Sequence, residues 1–276
     1  MNTFKRAALA VLLASLMFLF VLSRKANSDE LKTIVLTSEN TISLNLPIIG
    51  RTAGNIQQSL MDSKASNIYL VLNSPGGNVS DGYKIIETAK GLNKSVHTVS
   101  IFSASMSFII SQFLDKRYII ETGVMMSHRA YAGGMEGQVP GNLVIRTLDL
   151  LSEFVDLDQK ISERANMPRI TYENLTRDEL WMHGVHAVEL KFADEMVRIR
   201  CDSSLNGPAD PSNVSFMGIS VSIVFHKCPL ITEPLSVSIE NSNVSEEARQ
   251  VIYKLLYNKE QFVRDYGTTR VFNNFH

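Results

Sequence analysis

The chain has 276 residues, 45% hydrophobic and 20% charged, which supplies apolar material for one large or two small globular domains and excludes a disordered chain. Lys plus Arg number 27 and Asp plus Glu 28, so the net charge is −1 and no domain-wide basic field exists to hold nucleic acid. Cys201 and Cys228 are by themselves too few for a disulfide scaffold or a four-ligand zinc site, and they read either as one bridge or as two buried thiols.

In chain order, Lys5 and Arg6 precede an uncharged apolar run over residues 7–22, and Arg24 and Lys25 follow it. That is the order of an export signal. The run is short for a membrane span, which needs about 20 residues, while the Arg24-Lys25 pair spoils a small-residue cleavage region. A cleaved signal over residues 1–28 and an uncleaved anchor through residues 7–22 both remain open. Either one sends the remainder to a periplasmic or other extracytoplasmic side, where pairing of Cys201 with Cys228 is permitted.

From Leu31 onward, short β-rich runs alternate with helix-length segments, the pattern of an α/β domain with a largely parallel sheet. Strands are expected over residues 33–36, 42–46, 68–72, 96–102, 118–120 and 124–126. Helices are expected over 54–63 and 79–92, the second placing Val79, Tyr83, Ile86 and Ala89 on one face. A short apolar helix follows over 108–114, and a longer one over 142–166 carries Val144, Leu148, Leu151 and Ile161 among charged residues. After residue 199 a turn-rich connector leads to one β-like run over 217–225. A helix over 245–257 comes next, and then polar sequence expected to fray.

Three places carry candidate chemistry. Asn73-Ser74-Pro75-Gly76-Gly77-Asn78 stands between a hydrophobic strand and a helix, where backbone amides can face a developing negative charge; an ordinary tight turn is the plainer reading. Ser103-Ala104-Ser105-Met106-Ser107 also joins a strand to a helix, so one hydroxyl is presented at the end of the sheet as a nucleophile, or else simply caps the helix. Met125-Met126-Ser127-His128 ends a strand on an imidazole, the usual base for a serine hydroxyl. The other histidines, at 97, 183, 186, 226 and 276, show no convincing metal-ligand spacing, and no metal or cofactor is expected.

Taken in order, Asn73-Ser-Pro-Gly-Gly77, Ala104-Ser-Met106, Val124-Met-Met-Ser-His128 and Gly133-Gly-Met-Glu-Gly-Gln138 resemble the ClpP family of serine peptidases. The resemblance runs over about residues 31–200 and includes the segment 187–194, leaving residues 201–276 as a C-terminal extension of unassigned role. It implies a ClpP/crotonase-like fold of stacked β-β-α turns, with residues 142–166 as a long handle helix used in homo-oligomerisation. By position, Ser105 matches the nucleophile, His128 the general base, and Gly77 and Met106 the oxyanion-hole amides. Counting back from Trp181 puts Glu179 at the position of the acid, and a one-residue shift gives Asp178. Ser107 stands where a glycine is common in the family.

The resemblance therefore implies cleavage of peptide or protein substrates by a Ser-His-acid triad without a cofactor. Three other readings are open: a catalytically degenerate member that only binds a partner, a signal-peptide-peptidase-like Ser/Lys enzyme using Lys94 or Lys116, and a crotonase acting on an acyl-CoA. No P-loop pattern occurs in the chain, so an ATP-driven unfolding activity would have to come from another polypeptide.

Overall fold

The computed structural model describes residues 31–130, 138–216, 218–240 and 244–267. The apolar run over residues 7–22 and the glycine-rich segment 133–137 lie outside them. Among the described residues, no helix is long and apolar enough to cross a membrane. The described residues from Thr33 onward form one compact unit.

That unit is an α/β fold. Strands β1 (Thr33–Leu36) and β2 (Thr41–Leu44) are followed by α1 (Gly50–Asp62), β3 (Asn67–Ser74), α2 (Val79–Gly91), β4 (Ser95–Ala104), α3 (Met106–Phe113) and β5 (Arg117–Ser127). The long helix α4 (Asn142–Arg164), α5 (Arg169–Leu175), β6 (Leu180–His183), α6 (Gly184–Glu189) and β7 (Glu195–Cys201) complete this part. Strands β1, β7, β5, β4, β3 and β2 lie side by side in that order, all parallel, and β6 pairs antiparallel with β5.

The central strands are near-continuous apolar runs because both faces of the sheet are covered. On one side, Leu70 and Leu72 of β3 pack with Ile56 and Leu60 of α1, Ile85 and Ile86 of α2 and Ile110 of α3. Two register shifts, after Leu72 in the β3–β4 pair and between Ser100 and Phe102 in the β4–β5 pair, bend the strands as they approach their C-terminal ends. Beyond the bend, Met125 and Met126 alternate. Met125 packs with Phe108, Leu157, Ile161 and Phe192, whereas Met126 faces the other way, beside Phe102, Ala104 and Val124.

The second face is covered by the segment after Cys201. Strands β8 (Ser212–Phe216) and β9 (Ile219–Val224) form a hairpin, and β10 (Ser236–Ile239) adds to β9, all antiparallel. Helices α7 (Glu246–Tyr257) and α8 (Lys259–Tyr266) follow. Val214, Phe216, Val221, Ile223, Leu255, Phe262 and Val263 pack on Leu46, Phe102, Ala104 and Met126 in one cluster. The extension thus shares a core with the strands that end at Ser105 and His128.

Two expectations about this segment are corrected. The connector after residue 199 contains β8, whose Val214 and Phe216 alternate with exposed polar residues, and the turn at Gly218, with φ +74°, separates it from β9. The polar tail contains α8, started by the Asn258 side chain accepting from the Gln261 amide at 3.1 Å and buried through Phe262 and Val263. Residues 118–120 and 124–126 belong to the single strand β5, which continues through exposed Glu121 and Thr122.

Cys201, the last residue of β7, is disulfide-bonded to Cys228, with Cα atoms 5.8 Å apart. The bridge ties the start of the extension back to the sheet across 27 positions of sequence. In the chain-entropy model a closed loop of that size destabilises the unfolded chain by about 3.5 kcal/mol. Reduction is therefore expected to lower the thermal midpoint of the folded protein, read by differential scanning fluorimetry with and without a phosphine reductant. An unchanged midpoint on verified reduction would show that the bridge contributes nothing to stability.

Candidate active site

The parallel register determines what meets at the C-terminal edge of the sheet. Ser74 of β3 is opposite Ser103 of β4, and Ala104 of β4 is opposite Met126 of β5. The Gly76-Gly77 turn, Ser105 and His128 therefore leave adjacent strands at the same end, the edge where open α/β sheets place their ligands. The Ser105 amide donates to the Met126 carbonyl at 2.9 Å, which extends the ladder to the serine itself.

Ser105 has φ 53° and ψ −123°, a conformation that side-chain-bearing residues rarely adopt. Strain of this kind costs about 1–3 kcal/mol and persists only where the surroundings enforce it. The residue occupies the N-cap position of α3 but makes no side-chain capping bond. Its hydroxyl instead meets His128, with Oγ 2.9 Å from Nε2. Capping, the plainer reading of this serine, is therefore not what the side chain does.

His128 is half-buried, and burial pushes its imidazole below the ordinary value. The Glu179 carboxylate and a backbone hydrogen bond at Arg129 act in the opposite direction. Just before it, Ser127 Oγ and Tyr172 Oη lie 2.8 Å apart in a fully enclosed contact that fixes the end of β5 against α5.

The antiparallel partner strand distinguishes the two candidate carboxylates. Ser127 of β5 is opposite Leu180 of β6, so one step beyond the ladder His128 comes opposite Glu179, and Asp178 falls a further step away beside Arg129. Alternation then puts Glu179 on the side of Trp181 and Asp178 on the other. In agreement, Trp181 Nε1 donates to Glu179 Oε2 at 2.8 Å, and Glu179 is the carboxylate whose charge acts on His128. Both acids are exposed. In the sequence Trp181 serves only as the landmark for counting back to the acid; its place two residues after Glu179 on a strand is the signal that links its side chain to the site.

Gly76 and Gly77 have φ +91° and +149°, and neither position has room for a side chain. A Cβ on Gly76 would lie 2.7 Å from Ser105 Cβ, and one on Gly77 would lie 2.3 Å from the Ile48 carbonyl oxygen. The turn is held by Ile48 N donating to the Gly76 carbonyl, Asn78 N donating to the Ile48 carbonyl, and Gly76 N donating to Ser74 Oγ at 3.2 Å. The Asn78 side chain caps α2 by accepting from the Asp81 amide at 3.0 Å. The Gly76-Gly77 turn packs directly on Ser105 and on Met106, the first residue of α3. Ser107, at the position where glycine is common, is fully buried with its hydroxyl 3.3 Å from that of Ser103.

The lysines considered as alternative bases lie elsewhere. Lys94 Nζ donates to the Ser63 carbonyl at 2.6 Å and the Leu60 carbonyl at 3.3 Å, at the C-terminal end of α1, and Lys116 stands at the opposite end of β5 from His128.

A mainly parallel α/β sheet that presents a strained serine against a histidine at its C-terminal edge is consistent with a ClpP-like fold. A family model described as Clp protease matches residues 24–200, more than half of the chain, and the chain belongs to that family. It is 28% identical over 170 residues to the ATP-dependent Clp protease proteolytic subunit of Streptococcus thermophilus, an alignment covering 59% of this chain and 86% of that protein. Identity to the subunit of the same name from Lactococcus lactis subsp. lactis is 26% over 169 residues, covering 59% and 85%. Against proteolytic subunit 2 of Parasynechococcus marenigrum it is 28% over 169 residues, with the same coverage.

Proposed function

We propose that the chain is a serine endopeptidase that hydrolyses peptide bonds with Ser105 as nucleophile, His128 as general base and Glu179 as the acid of the triad. The observation that carries the reading is the 2.9 Å contact between Ser105 Oγ and His128 Nε2 on a serine that does not cap its helix. In the reaction, Ser105 Oγ attacks the scissile carbonyl while His128 Nε2 takes its proton. The Gly77 and Met106 amides donate to the oxyanion, and His128 returns the proton to the leaving amine. Water then hydrolyses the acyl-enzyme with the same base. Glu179 stabilises the transient imidazolium, consistent with the upward influence of its charge on His128.

The pH profile follows from the sign of these influences. The base must be neutral, so kcat/KM rises with pH through the His128 titration, and burial places that limb below the ordinary histidine value of about 6.5. Measuring hydrolysis of a fluorogenic peptide by the full chain across pH 4–9 tests this. A limb above the ordinary value would contradict the description of His128.

The same reading extends to assembly and location. Val144, Ile145, Leu148 and Leu151 are exposed on α4, with Ile145 at 69%, whereas Leu157 and Ile161 toward its C-terminus are buried. This exposed apolar stripe fits the handle helix of a homo-oligomer. Sedimentation of the purified chain is expected to give a multiple of the monomer mass, and a monomer at micromolar concentration would oppose it. The Cys201–Cys228 bridge and the apolar run over residues 7–22 together support an exported enzyme, anchored through that run if it is not removed.

A further inference from the structure

We infer that the C-terminal extension is a working part of the active site: through Arg264 and Trp181 it holds Glu179 in the orientation that lets the carboxylate act on His128. This rests on the reading of Glu179 as the triad acid. The extension begins after Cys201, beyond the 24–200 span matched by the family model, so Arg264 and Glu260 come from outside that span while Trp181 and Glu179 lie within it.

The chain of contacts is short and continuous. Arg264 lies on α8, and its guanidinium carbon is 3.8 Å from the centre of the Trp181 ring. Glu260, one turn earlier, accepts from Arg264 Nε at 3.1 Å and from Nη2 at 2.7 Å, which fixes the plane of the guanidinium. Phe102 stacks near the same indole, with centroids 6.5 Å apart and planes 29° from parallel. Trp181 Nε1 then donates to Glu179 Oε2 at 2.8 Å.

Glu179 needs such a holder for two physical reasons. It is exposed, so water competes for its oxygens and its rotamers are otherwise free. A glutamate also has one more rotatable bond than an aspartate, which makes an unheld carboxylate less well aimed. The indole N–H occupies one oxygen and leaves the other for the imidazole side. The indole is in turn fixed by a cation on its face and an aromatic neighbour, contacts that strengthen as water is excluded. Arg264 and Trp181 are thus positioning residues, and neither touches the reacting atoms.

The test reads the His128 titration directly, by proton–carbon NMR of the histidine ring in the full chain carrying Ser105→Ala, with the His128 signal assigned from a His128→Gln spectrum. Glu179→Gln sets the full downward shift that loss of the acid produces. Trp181→Phe, which keeps an aromatic side chain at the position but removes the indole N–H with the pyrrole ring, is expected to shift the titration in the same direction. It should add nothing in the Glu179→Gln background. Arg264→Ala is expected to reproduce part of the shift, with Arg264→Lys restoring it. In the chain with Ser105 intact, Trp181→Phe and Arg264→Ala are expected to lower kcat about fivefold with KM unchanged. A merely structural role would lower the melting temperature and leave the titration in place, and that result overturns the inference. So does a His128 titration that Glu179→Gln fails to move. Because the titration needs no turnover, a parent that cleaves no peptide but shows the coupled shifts would count against the proposed activity and leave the positioning intact.

Discussion

Replacing Ser105 by alanine is expected to lower kcat for peptide hydrolysis by at least about 10⁴-fold while leaving the fold in place. The size follows from the chemistry: the hydroxyl that lies 2.9 Å from His128 Nε2 is the group that forms the covalent intermediate. His128→Ala should give a loss of the same order, and the double replacement little more, because the two side chains act as one unit. Relief of the positive φ gives no large stability change, since alanine at the same φ of 53° carries the same Cβ. Circular dichroism and sedimentation would confirm that the variants fold and assemble. Retention of more than about 1% of the parent's kcat in folded Ser105→Ala would remove the serine from the mechanism.

The second large expected effect separates the two carboxylates. Glu179→Gln should reduce kcat about 10²–10³-fold, less than for a buried triad acid because the group is exposed and partly screened. Asp178→Asn should stay within about twofold. The reason is the antiparallel step from Ser127 and Leu180, which places Glu179 opposite His128 and turns Asp178 to the other face. In Glu179→Gln the acid limb of the pH profile is also expected to move further down, since the Glu179 charge that raises the His128 pKa is lost. The reverse pattern, a severe Asp178→Asn and a mild Glu179→Gln, would reassign the acid.

How much of this was legible in the sequence depended on whether a feature was local. Thr33–Leu36 coincides with its strand, and the helix over 79–92 and the long helix starting at Asn142 were found within two residues, since apolar spacing and flanking turns are local signals. The Gly-Gly turn, Ser105 and His128 could each be seen at a strand end, but that they converge is a property of sheet order, with β3, β4 and β5 as neighbours. The resemblance implied that these residues act together, and the strand order shows how they meet. The acid stayed ambiguous for a physical reason: whether 178 or 179 faces the histidine is decided by strand register, and a shift of one residue exchanges the faces.

The extension was least legible because its elements gain stability from tertiary packing. Val214 and Phe216 in β8 and Phe262 and Val263 in α8 are each sparse signals surrounded by polar residues, and they become meaningful only against Phe102, Ala104 and Met126. Trp181 belongs to the same category. It is conspicuous as the single tryptophan, yet its link to Glu179 on one side and Arg264 on the other required the fold.

Ser105 is proposed as a nucleophile activated by His128. Labelling of the full, assembled chain with a fluorophosphonate serine-hydrolase probe tests it most directly, with Ser105→Ala and His128→Ala in parallel. The account predicts near-stoichiometric labelling of the parent, none of Ser105→Ala, and labelling slowed by orders of magnitude in His128→Ala. A folded, assembled parent that does not react, or one whose rate His128→Ala leaves unchanged, would contradict it.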